Sequence, residues 1–479
     1  MNIYLLTPPM TKEERYGNYS EGGATSPPLG ILYIAAMLET GGYTVAVTDG
    51  NIGTVSCDSI LETAKQFQPD IIGISVTTIA YFRTTELVQE LRRQHPRAFI
   101  VVGGPDISAR LDIYRQAVGE GLFDGVVVGE GEQAMLELAQ ALEKGQPLEG
   151  ILGLIYHHDG ASYENPPRPF LDDLDSLPLP ARHLLPDISI YRPHLFTFRR
   201  RPWTSMITSR GCPYQCIFCD RSVFGNRYRA RSAQDIFNEI KLLYEKHNIR
   251  EISIEDDTFT IDVARVDKLC DLLLEAKLDL IWGCCARANT LSRELIFKLK
   301  KAGCWIIHLG IESGNQEILK TIRKGITTNM VQQVVSWASE AGLMVRGFLM
   351  LGLPGETKAS MRQTIEFAKS LDLYSVNFCI TFLLPNTQLT KMAPAFGLVS
   401  EPNFNQMSGH SKERSFVPYG ITAEELTRAQ RDAYVQFYLR PKVIWKLFFG
   451  GSIRDLRYLF PKMLYSITFF AKFCLRNYL

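Results

Sequence analysis

The stretch Arg210-Gly211-Cys212-Pro213-Tyr214-Gln215-Cys216-Ile217-Phe218-Cys219 places three cysteines at C-x3-C-x2-C spacing on one short loop. It follows a β-branched run, Thr204 to Thr208, and precedes apolar residues at helical spacing, Ile236, Ile240, Leu243 and Tyr244. Three thiolates so placed can hold three irons of a cubane cluster, leaving the fourth iron open to a small ligand. A structural zinc site is the competing reading, but it needs a fourth Cys or His at paired spacing, and the next cysteine is Cys270.

Outward from this loop toward the C-terminus, five more strand candidates alternate with helical spacing: Glu251 to Glu255, Leu280 to Cys284, Trp305 to Leu309, Val345 to Leu351 and Ser375 to Phe382. Six βα repeats over residues 201–395 predict a partial (βα)6 barrel. Its strand ends carry Glu255-Asp256-Asp257, Arg287, Glu312-Ser313 and Gly352-Leu353-Pro354-Gly355-Glu356, on the rim where barrel enzymes keep their sites. Singly, each is also an ordinary helix start, since acidic residues favour that position. His308 shares strand parity with Gly310 and Glu312, which allows it to face the lumen; a structural role is the expectation for it, and a core role for Cys379.

Toward the N-terminus, residues 151–200 turn to Pro, Asp and His and read as a linker. Before them, residues 1–150 show five buried strands, Asn2 to Thr7, Tyr43 to Thr48, Ile71 to Val76, Phe99 to Gly103 and Gly125 to Val128, with helices between. That alternation predicts an α/β, doubly wound parallel sheet, which binds ligands beyond the carboxyl ends of its strands. Thr7, Asp49, Ser75, Thr77, Gly103, Gly104, Glu130 and Gly131 stand there, with Pro28 and Gly30 opening the first helix. No G-x-G-x-x-G follows the first strand and no P-loop occurs, which argues against nicotinamide, flavin and nucleoside triphosphate.

At 479 residues the chain holds two to four domains at roughly 100–200 residues each. Its 46% hydrophobic and 22% charged residues are globular, and a net charge of +1 gives no global argument for a nucleic-acid partner. Ten cysteines are too few for a disulfide scaffold, and neither a signal peptide nor an apolar run long enough to span a membrane is present, so the cytoplasm is the expected compartment. Residues 396–479 read as a helical C-terminal region, with a capping box at Thr422 and Glu425. Its last part, 440–479, has eight Lys or Arg against Asp455 alone, interleaved with aromatics such as Trp445, Phe460 and Phe470. Two readings stand for it: a helix pair packed on the barrel with a solvated basic face, or peripheral contact at the inner membrane face, which would suit a lipid substrate.

The cysteine loop resembles the signature of the radical S-adenosylmethionine (SAM) superfamily, C-x3-C-x-Φ-C, with Phe218 in the aromatic position. The resemblance implies a 4Fe-4S cluster on Cys212, Cys216 and Cys219, with the amino and carboxyl groups of SAM on the open iron. It also implies reductive cleavage of SAM to a 5′-deoxyadenosyl radical, and an electron donor such as flavodoxin or ferredoxin. SAM contacts are then expected at Phe218, Glu255, Asp256, Asp257, Arg287, Glu312 and Ser313.

The doubly wound domain ahead of the barrel is similar to the cobalamin-binding class of that superfamily, which includes the anaerobic Mg-protoporphyrin cyclase, hopanoid methylases and phosphonate methylases. Ser26-Pro27-Pro28-Leu29-Gly30, Gly103-Gly104-Pro105 and Val128-Gly129-Glu130-Gly131-Glu132 carry this likeness. Cobalamin domains with a D-x-H-x-x-G motif place its histidine under cobalt, whereas here no histidine precedes His95, so the implied cobalamin is base-off and without a histidine ligand from the first strand loops. Methylthiotransferases share the layout but need three N-terminal cysteines, and Cys57 is alone before Cys212. The expected function is methylation of an unactivated carbon in a small-molecule or lipid substrate. The alternatives are radical cyclisation or oxidation without methyl transfer, and, outside catalysis, an iron-sulfur or corrinoid sensor.

Overall fold

The structure, a computed structural model, describes residues 1–16, 23–193, 197–400 and 414–449. Five parallel strands begin the first sheet: β1 (Asn2–Thr7), β2 (Thr44–Asp49), β3 (Ile71–Ser75), β4 (Phe99–Gly103) and β5 (Gly125–Val127). Two antiparallel strands, β6 (Leu154–His158) and β7 (Ala161–Glu164), extend it to the order β2-β1-β3-β4-β5-β6-β7. Both faces are covered by helices, so runs such as Ile3 to Leu6 are buried throughout rather than alternating.

The hairpin of β6 and β7 lies where the composition reads as the start of the linker, so the first sheet continues beyond residue 150. Its physical cause is the turn: Asp159 and Gly160 both hold positive φ, 47° and 79°, the type I′ geometry that matches strand twist and favours Asp-Gly.

The second sheet has the strands β8 (Trp203–Met206), β11 (Glu251–Ile254), β12 (Ile281–Ala286), β13 (Cys304–Glu312), β14 (Met344–Leu351) and β15 (Ser375–Ile380), all parallel and in the order β15-β14-β13-β12-β11-β8. Two short pieces, β9 (Ser209–Arg210) and β10 (Arg229–Ala230), pair across the base of the cysteine loop. The helices that follow the strands begin at Ser232, Asp262, Ser292 and Thr357, whose side chains each accept a backbone N–H that would otherwise be orphaned. The larger core lies between these helices and the outer face of the sheet. Along β14 the burial alternates, with Val345, Leu349 and Leu351 buried while Arg346, Phe348 and Met350 stay half-buried. The inner face therefore surrounds a lumen that its side chains do not fill.

In the C-terminal region, β16 (Gly397–Val399) and β17 (Phe416–Pro418) form a small antiparallel pair where only helix was expected. Helix Ala423–Tyr438 has the expected capping box, Thr422 with Glu425, and helix Pro441–Phe449 follows it. The rest of the basic aromatic tail, 450–479, lies outside the described residues. No helix of the described residues is long and apolar enough to cross a membrane.

Candidate active site

The cysteine loop is anchored at both ends. On its N-terminal side, Asp256 accepts the Thr208 N–H at 2.6 Å, the Ser209 N–H at 3.1 Å and both hydroxyls. Within it, the Ile217 N–H donates to Ile322 O, and Ile217 O accepts from Leu389 N. Gly211 has φ of +81°, and a Cβ there would stand 2.3 Å from Arg227 O, so the tight passage into Cys212 requires glycine.

The residues of the strand ends separate into two groups. Cys216 receives an N–H from Arg287 at 3.5 Å, and the Arg287 guanidinium lies 3.9 Å from the centre of the Tyr214 ring. Glu312, buried and with φ of +63°, pairs with Lys324 Nζ at 2.7 Å. Lys324 Nζ is also 5.9 Å from the Phe218 ring. A register shift between Gly310 and Glu312 re-aims this carboxylate, which is the usual work of a bulge beside a site. Glu255 and Asp257 are exposed just beyond the end of β11. By contrast Asp256 and Ser313 are internal. Asp256 holds the loop, and Ser313 faces the Thr364 hydroxyl at 3.1 Å and caps Asn315 N.

The Cys216 thiol is pulled below its ordinary range by the Cys219 hydrogen bond, against burial, with Lys324 and Arg287 adding to the effect. Cys219 moves the other way, because it shares that hydrogen bond with Cys216 and is itself desolvated. Cationic surroundings of this kind suit thiolate ligands. A cubane takes each thiolate on its own iron, and the donor set of three cysteines, flanked by Arg287 and Lys324, fits that demand.

Facing this loop, the carboxyl end of the first sheet opens into a cavity. Gly30, Ser75, Gly103, Gly104, Glu130 and Gly131 line it, all expected there. Gly104 has φ of +108° and would place a Cβ 2.8 Å from the Val76 backbone, so the chain can turn there only without a side chain. Thr7, Pro28, Asp49 and Thr77 lie outside this lining: Thr7 donates to Asp49 at 2.7 Å in a buried contact, and Thr77 is exposed ahead of a short 3-10 turn. No histidine is among the lining residues.

The far wall of the cavity is made by Ile207, Arg210, Val223 and Phe224, which bracket the cysteine loop. Arg210 donates to Glu130 at 2.7 Å and to Glu132 at 2.5 Å, and Arg229 reaches Glu130 at 2.8 Å. Burial opposes ionisation of Glu130, but Arg210, the Leu171 N–H and Arg229 together hold its carboxyl below the usual range. Glu130 is thus committed to joining the two sheets. A second buried junction links Arg182 to Glu239 at 3.1 Å and to Ser205 O at 2.8 Å. Sequence reasoning did not single out Arg210, Lys324 or Arg182 as functional residues. Only Arg210 carried a signal, its place beside the first cysteine.

Residues 206–368 match the radical SAM superfamily, and residues 20–139 match the B12 binding domain family. An uncharacterized methyltransferase of Pyrococcus horikoshii is 34% identical over 447 residues, covering 93% of this chain and 94% of the relative. The anaerobic magnesium-protoporphyrin IX monomethyl ester cyclase of Rubrivivax gelatinosus is 28% identical over 74% of this chain and 64% of its own length. The fold is shared with the radical S-adenosylmethionine methyltransferase TsrM from Kitasatospora setae, solved with cobalamin and a [4Fe-4S] cluster bound, at a TM-score of 0.66 and 20% identity over 91% of this chain and 81% of that one. By its paired sheets, its cysteine loop and these matches, the chain is an enzyme that belongs to the radical SAM superfamily, in the class that joins a B12-binding domain to the radical SAM barrel.

Proposed function

We propose that this enzyme is a cobalamin-dependent radical SAM methyltransferase acting on an unactivated carbon. The observation that carries the reading is the shared wall: Arg210, Val223 and Phe224 line the cavity of the first sheet and stand on either side of Cys212 to Cys219. A ligand in that cavity faces whatever the cysteines hold.

In this reading Cys212, Cys216 and Cys219 hold a 4Fe-4S cluster, and Gly30, Ser75, Gly103, Gly104 and Gly131 form the cobalamin crevice. When bound, these groups supply the electron that cleaves SAM and the methyl that is transferred. The chain's own residues bind, orient and exclude water. Arg287 donates toward the Cys216 sulfur, which favours a low-lying thiolate. Glu255 and Asp257 offer carboxylates at the mouth to the methionyl ammonium of SAM. The buried Glu312 and Lys324 hold a fixed pair of opposite charges beside Phe218, complementary to an amino acid zwitterion. The apolar wall of Ile207, Val223 and Phe224 keeps water from the space between the two sheets, where a radical must survive. The crevice lining contains no histidine, so none of its residues would offer an imidazole to a bound cobalamin.

Anaerobic turnover with SAM, a reductant and candidate substrates tests the assignment. A methylated product with both S-adenosylhomocysteine and 5′-deoxyadenosine is expected. A cyclised or oxidised product with 5′-deoxyadenosine alone would replace methyl transfer with the alternative radical chemistry.

A further inference from the structure

The barrel lumen holds a cation, Arg346, that pairs with no carboxylate among the described residues. Arg346 is the third residue of β14 and faces inward with Phe348 and Met350. Its guanidinium carbon is 5.2 Å from the centre of the Phe348 ring, and the His308 ring lies 6.0 Å from the same ring. Strand pairing puts Arg346, His308 and Cys285 at one level of the lumen. Among the described residues, Arg346 makes no ion pair and no hydrogen bond, and its Nε is buried without a partner. Five other buried guanidinium groups near the two sheets, Arg182, Arg210, Arg229, Arg231 and Arg265, have carboxylate partners, and buried Arg287 is turned to the Cys216 sulfur and the Tyr214 ring instead.

A half-buried guanidinium whose Nε is shut off from both water and a partner is costly, and a ligand anion would relieve that cost. Neighbouring groups do not serve. Glu251, beneath, is occupied by the Trp305 indole N–H at 2.9 Å and by the Arg199 N–H at 2.7 Å, which closes the floor. Asn377, on the next strand, is bonded to Tyr434 at 2.7 Å. His308 is neutral, pushed down to about 3 by burial and by the charge of Arg346, so it offers an uncharged N–H to the same space. Above them Phe348, Met350 and Cys379 make a largely apolar passage to the rim.

We infer that Arg346, with His308 beside it, anchors an anionic group of the substrate inside the barrel. The substrate is then elongated: a carboxylate or phosphate ester at one end, an apolar stem along Phe348 and Met350, and the reacting carbon near the rim. Arg346 and Met350 are four steps apart along the strand, so the anion sits about 13 Å below Met350 at roughly 3.3 Å per residue. The inference deepens the proposed function and rests on that reading for what happens at the rim, but the anchor itself does not depend on cluster chemistry.

The test is calorimetric binding of hexanoate, hexyl phosphate and 1-hexanol to the reconstituted holoenzyme and to Arg346→Gln and Arg346→Lys variants. One of the two anions is expected to bind the wild type about tenfold or more tighter than the alcohol, the range of a charge-assisted hydrogen bond. R346Q should erase that preference and R346K should keep part of it. Preference for hexanoate assigns a carboxylate, and preference for hexyl phosphate a phosphate ester. Equal affinity for anion and alcohol in the wild type, or an anion preference that survives in R346Q, overturns the anchor. Should R346Q fail to fold, the wild-type and R346K affinities decide. Formation of 5′-deoxyadenosine by the wild type without added probe scores the radical reading separately.

Discussion

Arg210 Nη2 lies 2.5 Å from Glu132 Oε1, tying the residue two places before Cys212 to the first turn of the helix Glu132–Glu143, which packs beneath the first-sheet cavity. This contact and the Arg210–Glu130 pair fix the distance between the two halves of the site. Both partners are buried, so the geometry is held by desolvated charge rather than by flexible surface contacts.

Replacing Arg210 with Gln leaves Glu132 buried without its partner, and a loss of roughly 3–5 kcal/mol is expected. The denaturant midpoint measures it. Arg210→Lys should recover little, because a point charge cannot reach two carboxylates as the guanidinium fork does. Cobalt content after reconstitution should fall in both variants, since Arg210 also lines the cavity.

Lys324→Met strands the buried Glu312 in the same way and should weaken SAM binding along with stability. The double variant Lys324→Met with Glu312→Gln should regain most of the stability, because no uncompensated charge remains, yet still bind SAM poorly. Calorimetric SAM titration and denaturant melts on the three variants separate the two effects.

Glu356 gives a pH signature. Burial raises its carboxyl to about 8, against the lowering effect of the Leu353 and Gly352 N–H groups. Between its unfolded range near 4.5 and about 8 the folded state binds the extra proton, so stability falls as pH rises through that window. Glu356→Gln should flatten this slope, at most roughly 1.4 kcal/mol per pH unit, and be the more stable protein at pH 8. Parallel melts from pH 5 to about 8 check it.

Gly160→Ala tests the hairpin apart from the site. Its φ of +79° is unfavourable to any side chain, while a Cβ there meets open space, so the cost should be backbone strain of about 1 kcal/mol with no change in SAM cleavage.

The parallel strands of the first sheet were legible because apolar runs buried on two faces leave an unbroken pattern, as at Ile71 to Ile74, and those of the second because β-branched and apolar residues recur at its outward positions, as at Val345, Leu349 and Leu351. Helix starts such as Thr422 with Glu425 were legible for a local reason, since the cap is written within four residues. The β6–β7 hairpin was not, although Asp159-Gly160 marked its turn, because exposed residues such as Ser162 and Tyr163 carry no burial signal. At the site, the cysteines and the glycines of the crevice stood out by spacing. Asp256 and Ser313 read as ligand contacts from their strand-end positions, yet their partners, Thr208, Ser209 and Thr364, are far away in sequence. Pairings such as Arg210 with Glu132 and Lys324 with Glu312, and the lack of a carboxylate for Arg346 among the described residues, exist only once the strands are aligned.

The most direct measurement is anaerobic reconstitution with iron, sulfide and cobalamin, metal analysis of the gel-filtered protein, and incubation with SAM and dithionite. The account predicts about four irons and one cobalt per chain, with 5′-deoxyadenosine formed and all iron lost when Cys212, Cys216 and Cys219 become Ala. Iron and SAM cleavage without retained cobalt would contradict the paired site, and absence of both metals after sound reconstitution would contradict the account as a whole.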